Sequence, residues 1–421
     1  MNILLVSSYL PYPLFSGGHI RLYNLIKQLS KKHEITLICE KRDYQGESEI
    51  KELKKFCKKI ITVNRKKQWS LKNILKTGLS FSSFLVTGHT SWQMKKEIQR
   101  ELDGSQFDLI HVETSYVMQN IPVTKIPVVL VEHNVEYLVY KRFTDSALLP
   151  LRPLLYIDVL KLKYWEEKMW KKATRLVAVS EIERKIMEEK RKDVVVVSNG
   201  VDILKFKTTN DKRQTTPLRP ASAKASAGGQ LFEGQASEKR ILFIGDFRWV
   251  QNIDAIEWII KEIWPKINFK FKISNLKLIL WVVGRHIPDS IRRLTLQLAQ
   301  GKQDVIFDDQ ASDKTELIYQ KSDLLLAPIR VGGGTSFKIL EAMASGVPVV
   351  TTPLGNAINA KENSEIVIAK TSEDFVKNIK KLLEDEKFYE TISINARKLV
   401  EEKFNWEKIS SDLNSVYESV T

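Results

Sequence analysis

The sequence of 421 residues is poor in cysteine and histidine, with two of the first and six of the second. Cys39 and Cys57 allow at most one disulfide and form no CxxC or Cys/His cluster, which argues against structural zinc and fits a reducing compartment. Long apolar runs are also missing, since IPVVLV at 126–131 is far too short to span a bilayer. The first residues carry no Lys or Arg before their apolar run and soon reach Pro11 and Pro13, so we expect no signal peptide. These absences predict a soluble cytoplasmic protein.

Positive charge, in contrast, is abundant in the first half. Residues 1–200 hold 34 Lys and Arg against 22 Asp and Glu, which is +12 of the net +15 of the chain. The densest stretch runs from Lys51 to Lys76. Such a field attracts polyanions, namely nucleic acid, anionic lipid headgroups or anionic substrates. A solvated basic face without a partner is the other interpretation, and composition leaves both open.

The first half alternates short apolar segments with helical patterns. Segments rich in Val, Ile and Leu between polar turns are typical of a parallel sheet covered on both faces. A helix is predicted near His19, where apolar residues recur with helical spacing. The predicted strands are Asn2–Ser7, Glu34–Cys39, Leu109–Val112, Val128–Glu132, Arg175–Val179 and Val194–Val197.

The second half repeats this alternation, so the length and the pattern together predict two doubly wound α/β domains in series. Its predicted elements are the strands Ile241–Gly245, Leu278–Gly284, Val305–Phe307, Leu324–Pro328 and Val347–Thr351, and the helices Asn252–Trp264 and Gly334–Ala344.

Residues 208–238 differ in character from both halves. This segment has only three large apolar side chains, too few to offset the entropy of ordering it, and we predict a disordered linker. After it, the segment from Asn405 is an amphipathic helix by its spacing. The predicted domain limits are 1–205, a linker at 206–239, a second domain at 240–402, and a final helix at 403–421.

The most informative segment is APIRVGGGTSFKILEAMASGVPVVTTPLG at 327–355. A strand is predicted to end at Pro328, three glycines follow, and a helix begins at about Thr335. Glycines let a phosphate approach the backbone, and the first turn of a helix offers free N–H groups and the positive end of its dipole. Lys338 or Arg330 could add full charge, and the carboxylate of Glu341 could accept hydrogen bonds from a ribose. A tight turn without a ligand is the alternative, but the combination favours a nucleotide site.

This segment closely resembles the signature of retaining GT-B glycosyltransferases, the group called glycosyltransferase family 4. Further segments resemble the family in the expected order along the chain. They are the first strand with Gly17-Gly18, EHNVE at 132–136, the AVS and SNGVD segments before residue 203, and FIGDFRWVQNIDAIEWI at 243–259. The resemblance covers nearly the whole chain. It implies a GT-B fold, in which two Rossmann-like domains, an acceptor domain and then a donor domain, face a central cleft, with the final helix crossing back to the first domain.

The resemblance also implies roles for individual residues. Glu341 occupies the position that binds the donor ribose, and the implied catalytic residues are His133, Arg248 and Lys338. The implied donor-binding residues are Gly17, Gly18, Gly245, Arg330, Gly333, Gly334, Thr335, Ser336 and Glu341. A lone histidine at a strand end is usually a surface or capping residue, and it is the EHN context that favours a catalytic role for His133. His111 is predicted to be structural.

Three departures from the family pattern affect these roles. Many relatives carry a glutamate where this chain has Gly333, and that glutamate usually faces the donor sugar, so sugar recognition is in doubt. Ser336 stands where an arginine is common, and the loop from Gly245 to Arg248 lacks a following lysine.

Asp308-Asp309 could suggest a metal ion, but we predict none, because GT-B enzymes use helix dipoles and basic residues in its place.

The resulting prediction is a metal-independent hexosyltransferase without a cofactor. It would transfer a sugar from a UDP- or GDP-linked donor, with retention, to a glycan, lipid-linked or small-molecule acceptor. One alternative is a GT-B nucleotide-sugar 2-epimerase, disfavoured because the donor half holds only His286 as a histidine acid or base. Another is a non-catalytic basic nucleic-acid-binding protein, disfavoured by the scarcity of aromatic residues in the basic run. We expect no nucleic-acid partner, and either a purely soluble enzyme or one held at the anionic inner face of the plasma membrane.

Overall fold

The computed structural model describes residues 1–206, 237–271, 276–298, 304–310, 314–331 and 334–421. By their contacts these residues form two compact units. The first contains residues 1–200, Gly334, Thr335 and the C-terminal segment Trp406–Thr421. The second contains the described residues between Val201 and Val331, and Ser336–Asn405. The predicted linker at 208–238 lies outside the described residues except for its last two positions, which begin a strand rather than continuing a linker.

The first unit is built on a seven-stranded parallel sheet in the order β3-β2-β1-β4-β5-β6-β7. The strands are β1 (Asn2–Ser7), β2 (Glu34–Lys41), β3 (Lys59–Asn64), β4 (Leu109–Glu113), β5 (Val128–Glu132), β6 (Arg175–Ala178) and β7 (Val194–Val196). The sequence prediction missed β3, whose Ile60 and Ile61 lie beside Leu37 and Ile38 of β2.

Helices cover both faces of this sheet. They are α1 (Gly17–Leu29), α2 (Glu47–Leu53), α3 (Leu71–Gly78), α4 (Phe84–Gly88), α5 (Trp92–Gly104), α6 (Glu136–Ser146), α7 (Arg152–Lys172) and α8 (Glu181–Glu188), with 3₁₀ turns at Ser115–Asn120 and Leu149–Leu151. The central strands are buried on both sides, which is why they are rich in Val, Ile and Leu.

Among its described residues the second unit holds a six-stranded parallel sheet in the order β10-β9-β8-β11-β12-β13. The strands are β8 (Ser237–Ile244), β9 (Leu276–Val283), β10 (Val305–Asp308), β11 (Leu324–Ala327), β12 (Val349–Thr351) and β13 (Val367–Ile368). Both sheets begin in the middle and extend outwards in both directions, so the predicted class of two Rossmann-like α/β domains is confirmed.

The helices of the second unit are α9 (Val250–Trp258), α10 (Trp264–Phe271), α11 (Asp289–Leu298), α12 (Thr315–Gln320), α13 (Phe337–Ala344), α14 (Ser372–Glu384) and α15 (Glu386–Lys403). Between α9 and α10 the chain passes through a π-helical turn at Ile259–Ile263. Proline has no N–H and its ring crowds the carbonyl four residues earlier, so the wider turn accommodates Pro265. The last helix, α16 (Trp406–Glu418), is grouped with the first unit.

Each sheet has a point where its strand order reverses. In the first unit this point lies between β1 and β4, and in the second between β8 and β11. In open α/β sheets, ligands bind at the carboxyl ends of the strands beside this point. A ligand site is therefore expected at these two positions.

Candidate active site

In the second unit, Asn252 connects the loop after β8 with the helix after β11. Its side-chain amide donates to the carbonyl of Asp246 at 2.8 Å, and its Oδ1 accepts from Lys338 Nζ at 2.8 Å. The residue before Asp246 is a glycine, and a Cβ on Gly245 would lie 2.7 Å from the Asn252 amide. The absence of a side chain at Gly245 therefore leaves room for the Asn252 amide. Through Asn252, the predicted site residues Gly245 and Lys338 lie close together.

Lys338 and Glu341 lie in the first two turns of α13. Burial lowers the pKa of Lys338 to about 8, although Glu341 opposes the shift. Burial raises the pKa of Glu341 to about 7, although Tyr319, Lys205 and Lys338 oppose it. The phenol of Tyr319 is fully buried and donates to Glu341 Oε2 at 2.9 Å. The two groups are partly desolvated, which strengthens their interaction with a charged or polar ligand.

The two predicted arginines have partners of their own in the second unit. Arg330 forms a two-pronged ion pair with Asp254, at 2.7 and 3.1 Å, and its guanidinium lies 4.4 Å above the ring of Trp258. Arg248 binds the carboxylate of Asp246 with its Nε at 3.0 Å. Arg248 is linked to Lys338 indirectly, through Asp246 and Asn252, and Arg330 is not joined to it by these contacts. A role of either arginine in holding a diphosphate stays a prediction.

The glycine-rich turn leads into α13 later than predicted. The helix begins at Phe337 with Ser336 as its N-cap, whereas the prediction placed its first residue at Gly334 or Thr335. Thr335 instead belongs with the first unit, where its hydroxyl donates to the carbonyl of Val179 and its own carbonyl accepts from Asn199. Gly334 has a φ of 74°. The predicted site residue Gly333 lies outside the described residues.

In the first unit, a row of buried polar groups begins at the end of β4. Glu113 is fully buried, and its two carboxylate oxygens accept from His111 Nε2, at 2.9 Å, and from His133 Nε2. The other ring nitrogen of His111 contacts the hydroxyl of Tyr417 at 2.5 Å. Burial would raise the pKa of Glu113, but the charges and hydrogen bonds of His133 and His111 hold it well below its usual range. The carboxylate is therefore ionised and fixes the Nε2–H of His133.

The N-terminus of α1 lies next to His133. A Cβ on Gly18 would come within 3.3 Å of His133 Nδ1 and 3.0 Å of the Tyr9 hydroxyl, so glycine permits this close approach. Gly17 is the first residue of the same helix. Burial, with smaller effects of Arg42 and His133, lowers the pKa of His19 to about 4, so this neighbour is neutral at pH 7. The structure thus brings His133 together with the predicted glycine pair.

Sequence reasoning missed Glu113, Tyr319 and Asn252. The spacing of His111 and Glu113 could have indicated Glu113, because residues two apart in a strand lie on the same face. No signal of that kind exists for Tyr319, whose partner Glu341 lies 22 residues away.

Across the described parts of the chain, no group of three or more His, Cys, Asp or Glu side chains could hold a metal ion. Of the acidic pair considered for a metal, Asp309 forms an ion pair with Arg292. None of the helices that the structure describes is long and apolar enough to cross a membrane.

The two units match two families of known proteins. Residues 15–204 match the family Glycosyltransferase Family 4, and residues 238–385 match Glycosyl transferases group 1. Among solved structures, sucrose-phosphate synthase from Thermosynechococcus elongatus has a TM-score of 0.67 at 16% identity, with 100% of this chain and 99% of that chain covered. Anabaena HepE in complex with UDP-glucose has a TM-score of 0.64 at 14% identity over the full length of both. The fold is GT-B, and the chain is a GT-B glycosyltransferase.

Relatives in sequence agree with this identification. An uncharacterized glycosyltransferase of Methanocaldococcus jannaschii is 30% identical over 186 residues, 44% of this chain and 45% of that protein. The capsular polysaccharide biosynthesis glycosyltransferase CapM of Staphylococcus aureus is 32% identical over 157 residues, 36% of this chain and 40% of that protein. The alignments thus span less than half the length of either relative.

Proposed function

We propose that this enzyme transfers a hexose-type sugar from a UDP- or GDP-sugar to a glycan or lipid-linked acceptor, with retention at the anomeric carbon. The observation that carries the proposal is the pair Lys338 and Glu341 on α13, beside the strand-order reversal of the second sheet. A cation and a hydrogen-bond acceptor one turn apart suit a diphosphate and the ribose attached to it. The HepE complex with UDP-glucose and the capsular relative support this choice of substrates.

In this reaction the bond between the anomeric carbon and the diphosphate oxygen breaks, and the oxygen of an acceptor hydroxyl bonds to that carbon in its place. The hydroxyl proton passes to the departing diphosphate. Negative charge grows on the departing diphosphate. Lys338 and the positive end of the α13 dipole would stabilise that charge, and they need neither a metal ion nor a cofactor to do so. Arg248 and Arg330 are proposed as further cations if they exchange their carboxylate partners for the diphosphate. Glu341, held by Tyr319, would accept from the ribose hydroxyls.

We propose His133 as the catalytic residue of the first unit, with Glu113 as its positioning residue. Glu113 fixes the proton on Nε2 of His133, which leaves the Nδ1 side facing Gly18. A histidine held in one orientation loses less entropy when it binds a substrate group.

The test is a panel of UDP- and GDP-sugars, read out by mass spectrometry of the released nucleotide and by proton NMR of the product. We expect one nucleotide to be released with sugar transfer, an unchanged anomeric configuration, and full activity in EDTA. Conversion of the donor to its 2-epimer would overturn the proposal in favour of the epimerase. An inverted product or loss of activity in EDTA would overturn the retaining or the metal-independent part.

A further inference from the structure

Helix α3 carries apolar side chains on its outside. Leu71, Leu75 and Leu79 follow one another at helical spacing, and Leu79 and Phe81 are 90% and 95% exposed. Trp69, just before the helix, is 78% exposed. A surface helix of a globular protein normally turns such a row towards the core. Here the row faces solvent, so burial in the core of the first unit does not explain it.

Helix α7 presents a second exposed apolar row. Leu154, Ile157, Leu160 and Tyr164 are each more than half exposed, although the opposite face of the helix, including Leu162, is buried. Lys161, within this row, donates to the carbonyls of Thr77 at 2.8 Å and Ser80 at 2.7 Å, where α3 ends. The two rows are therefore neighbours on one surface, here called the α3–α7 face.

The surroundings of this face are basic. Between Glu52 and Glu97 the sequence contains eleven Lys and Arg and no acidic residue. Lys66, Lys67 and Lys76 are exposed beside the α3 row. The acidic residues of α7 are engaged elsewhere. Asp158 accepts from the backbone of Phe84, and Glu166 is buried. Glu167 forms ion pairs with Lys163 and Lys190.

We propose that the α3–α7 face docks on a bilayer that contains anionic lipids. Its apolar side chains would enter the boundary between headgroups and acyl chains, while the lysines meet the anionic headgroups. A second copy of this chain is a poorer occupant, because a symmetric contact would set the basic surroundings against themselves. This inference does not depend on the proposed donor, acceptor or reaction.

The α3–α7 face differs from the surface expected from the sequence. Of the apolar residues in the basic run, Ile60 and Ile61 belong to strand β3, and Phe56 is partly buried against Tyr23. Trp69, Leu71 and Ile74 are exposed. The contact region therefore begins near Trp69 and extends to α7, which sequence reasoning had not included.

The test is co-sedimentation of the full chain with vesicles of phosphatidylcholine alone or mixed equally with phosphatidylglycerol. We expect binding only to the mixed vesicles, decreasing with salt. The triple variant Lys66→Glu, Lys67→Glu and Lys76→Glu should weaken it roughly tenfold or more. The matched control, Lys380→Glu with Lys398→Glu, changes exposed lysines of the second unit and should have little effect.

A label reports insertion directly. Cys39 and Cys57 are buried, so a cysteine at Trp69→Cys can be labelled with an environment-sensitive dye. With the mixed vesicles, the emission maximum of a dye on Trp69→Cys should shift to shorter wavelength. The same dye on Leu296→Cys, an exposed position of the second unit, should show no shift. Equal recovery in the supernatant with both vesicle types at low salt would overturn the proposal. Light scattering that shows a dimer, dissociated by Leu75→Ser with Leu79→Ser, would overturn it in favour of a second copy.

Discussion

Lys338 and Glu341 lie one turn apart, and burial is the main cause of the pKa shift of each. It lowers the pKa of the lysine to about 8 and raises that of the glutamate to about 7. Both groups therefore titrate close to the pH at which an enzyme usually works. Their charges, and with them the affinity for a nucleotide, should depend on pH in a way that substitutions can separate.

Replacing Lys338 with arginine should remove one part of that pH dependence. The lysine binds a diphosphate in its charged form, so affinity for UDP or GDP should fall about tenfold between pH 7 and pH 9 as Lys338 loses its proton. Arginine stays charged over this range, and Lys338→Arg should show a much smaller fall. Calorimetry at both pH values measures this, with Lys361→Arg as an exposed control. An equal fall in the wild type and Lys338→Arg would refute the assignment.

Glu341→Ala should weaken binding of the nucleoside diphosphate by about 1.5–3 kcal/mol, because a charged hydrogen-bond acceptor is lost. Tyr319→Phe should have a smaller effect. The hydroxyl of Tyr319 lowers the pKa of Glu341, so without it Glu341 should take up a proton at higher pH. The loss of nucleotide affinity in acid should then begin at higher pH in Tyr319→Phe than in the wild type. Calorimetry of both variants distinguishes these effects, and unchanged affinity in Glu341→Ala would exclude a ribose contact.

Glu113→Gln should lower kcat on the order of a hundredfold, while the KM for the donor changes little. A glutamine has one oxygen for two N–H donors, so it cannot fix both His111 and His133 as the carboxylate does. Steady-state rates from pH 6 to 9 should also show a displaced pH optimum, and Glu113→Asp should retain more activity. A variant that loses thermal stability but keeps the pH profile would point to a purely structural role.

At the scale of elements, helix α16 completes the first unit. Its apolar face includes Trp406, Ile409, Leu413 and Tyr417, all buried. Leu413→Ala should therefore cost about 2–5 kcal/mol of stability in the first unit. Ser415→Ala, on the exposed face of the same helix, should stay within about 0.5 kcal/mol. Urea unfolding monitored by hydrogen exchange of peptides from each unit measures both, and equal costs would contradict the packing.

Elements with strong local patterns were predictable from the sequence. The predicted bounds of Asn2–Ser7 and Val128–Glu132 are confirmed, because the buried middle of each strand is an unbroken run of Val, Ile or Leu. Strand β3 was missed, since it follows a lysine-rich segment and only one of its residues, Val63, is buried. Strand β13 was missed because two residues are too short for a pattern.

The candidate site was predictable in part for a similar reason. Lys338, Glu341 and His133 belong to recognisable segments, whereas the groups that tune them come from distant ones. Glu113 is 20 residues from His133, and Tyr417 is 306 residues from His111. The spacing of His111 and Glu113 places both on one face of a strand, but it does not point to His133 or Tyr417, which only the folded chain brings to them.

At the scale of the molecule, the buried acids of the first unit should make its stability depend on pH. Burial raises the pKa of Glu132 to about 8 and raises that of Glu166 as well. Between about pH 4.5 and 8 the folded unit thus holds protons that the unfolded chain releases, so stability falls as pH rises through that window. Glu113 affects stability in the opposite direction, because its pKa is depressed in the folded unit. Its stabilising contribution is present at neutral pH and is lost only in strong acid.

Glu132→Gln should therefore flatten the decrease in stability between pH 5 and pH 8. Protection factors of amides in Val128–Glu132, measured by hydrogen exchange across this range, should fall less steeply in the variant than in the wild type. Peptides from the second unit in the same experiment provide the internal control. A slope that Glu132→Gln leaves unchanged would show that other groups cause the pH dependence.

The hydrogen bond between Tyr417 and His111 also bears on synthesis at the ribosome. Strand β4, which carries His111, emerges early, but its partner is made only after the whole second unit has been translated. Until α16 is made, His111 has Glu113 as a hydrogen-bond partner but lacks the hydroxyl of Tyr417. A chain that stops before α16 would contain every residue of the proposed reaction and still lack a finished first unit. Interrupted translation would thus yield inactive chains open to proteolysis, rather than a partly active enzyme.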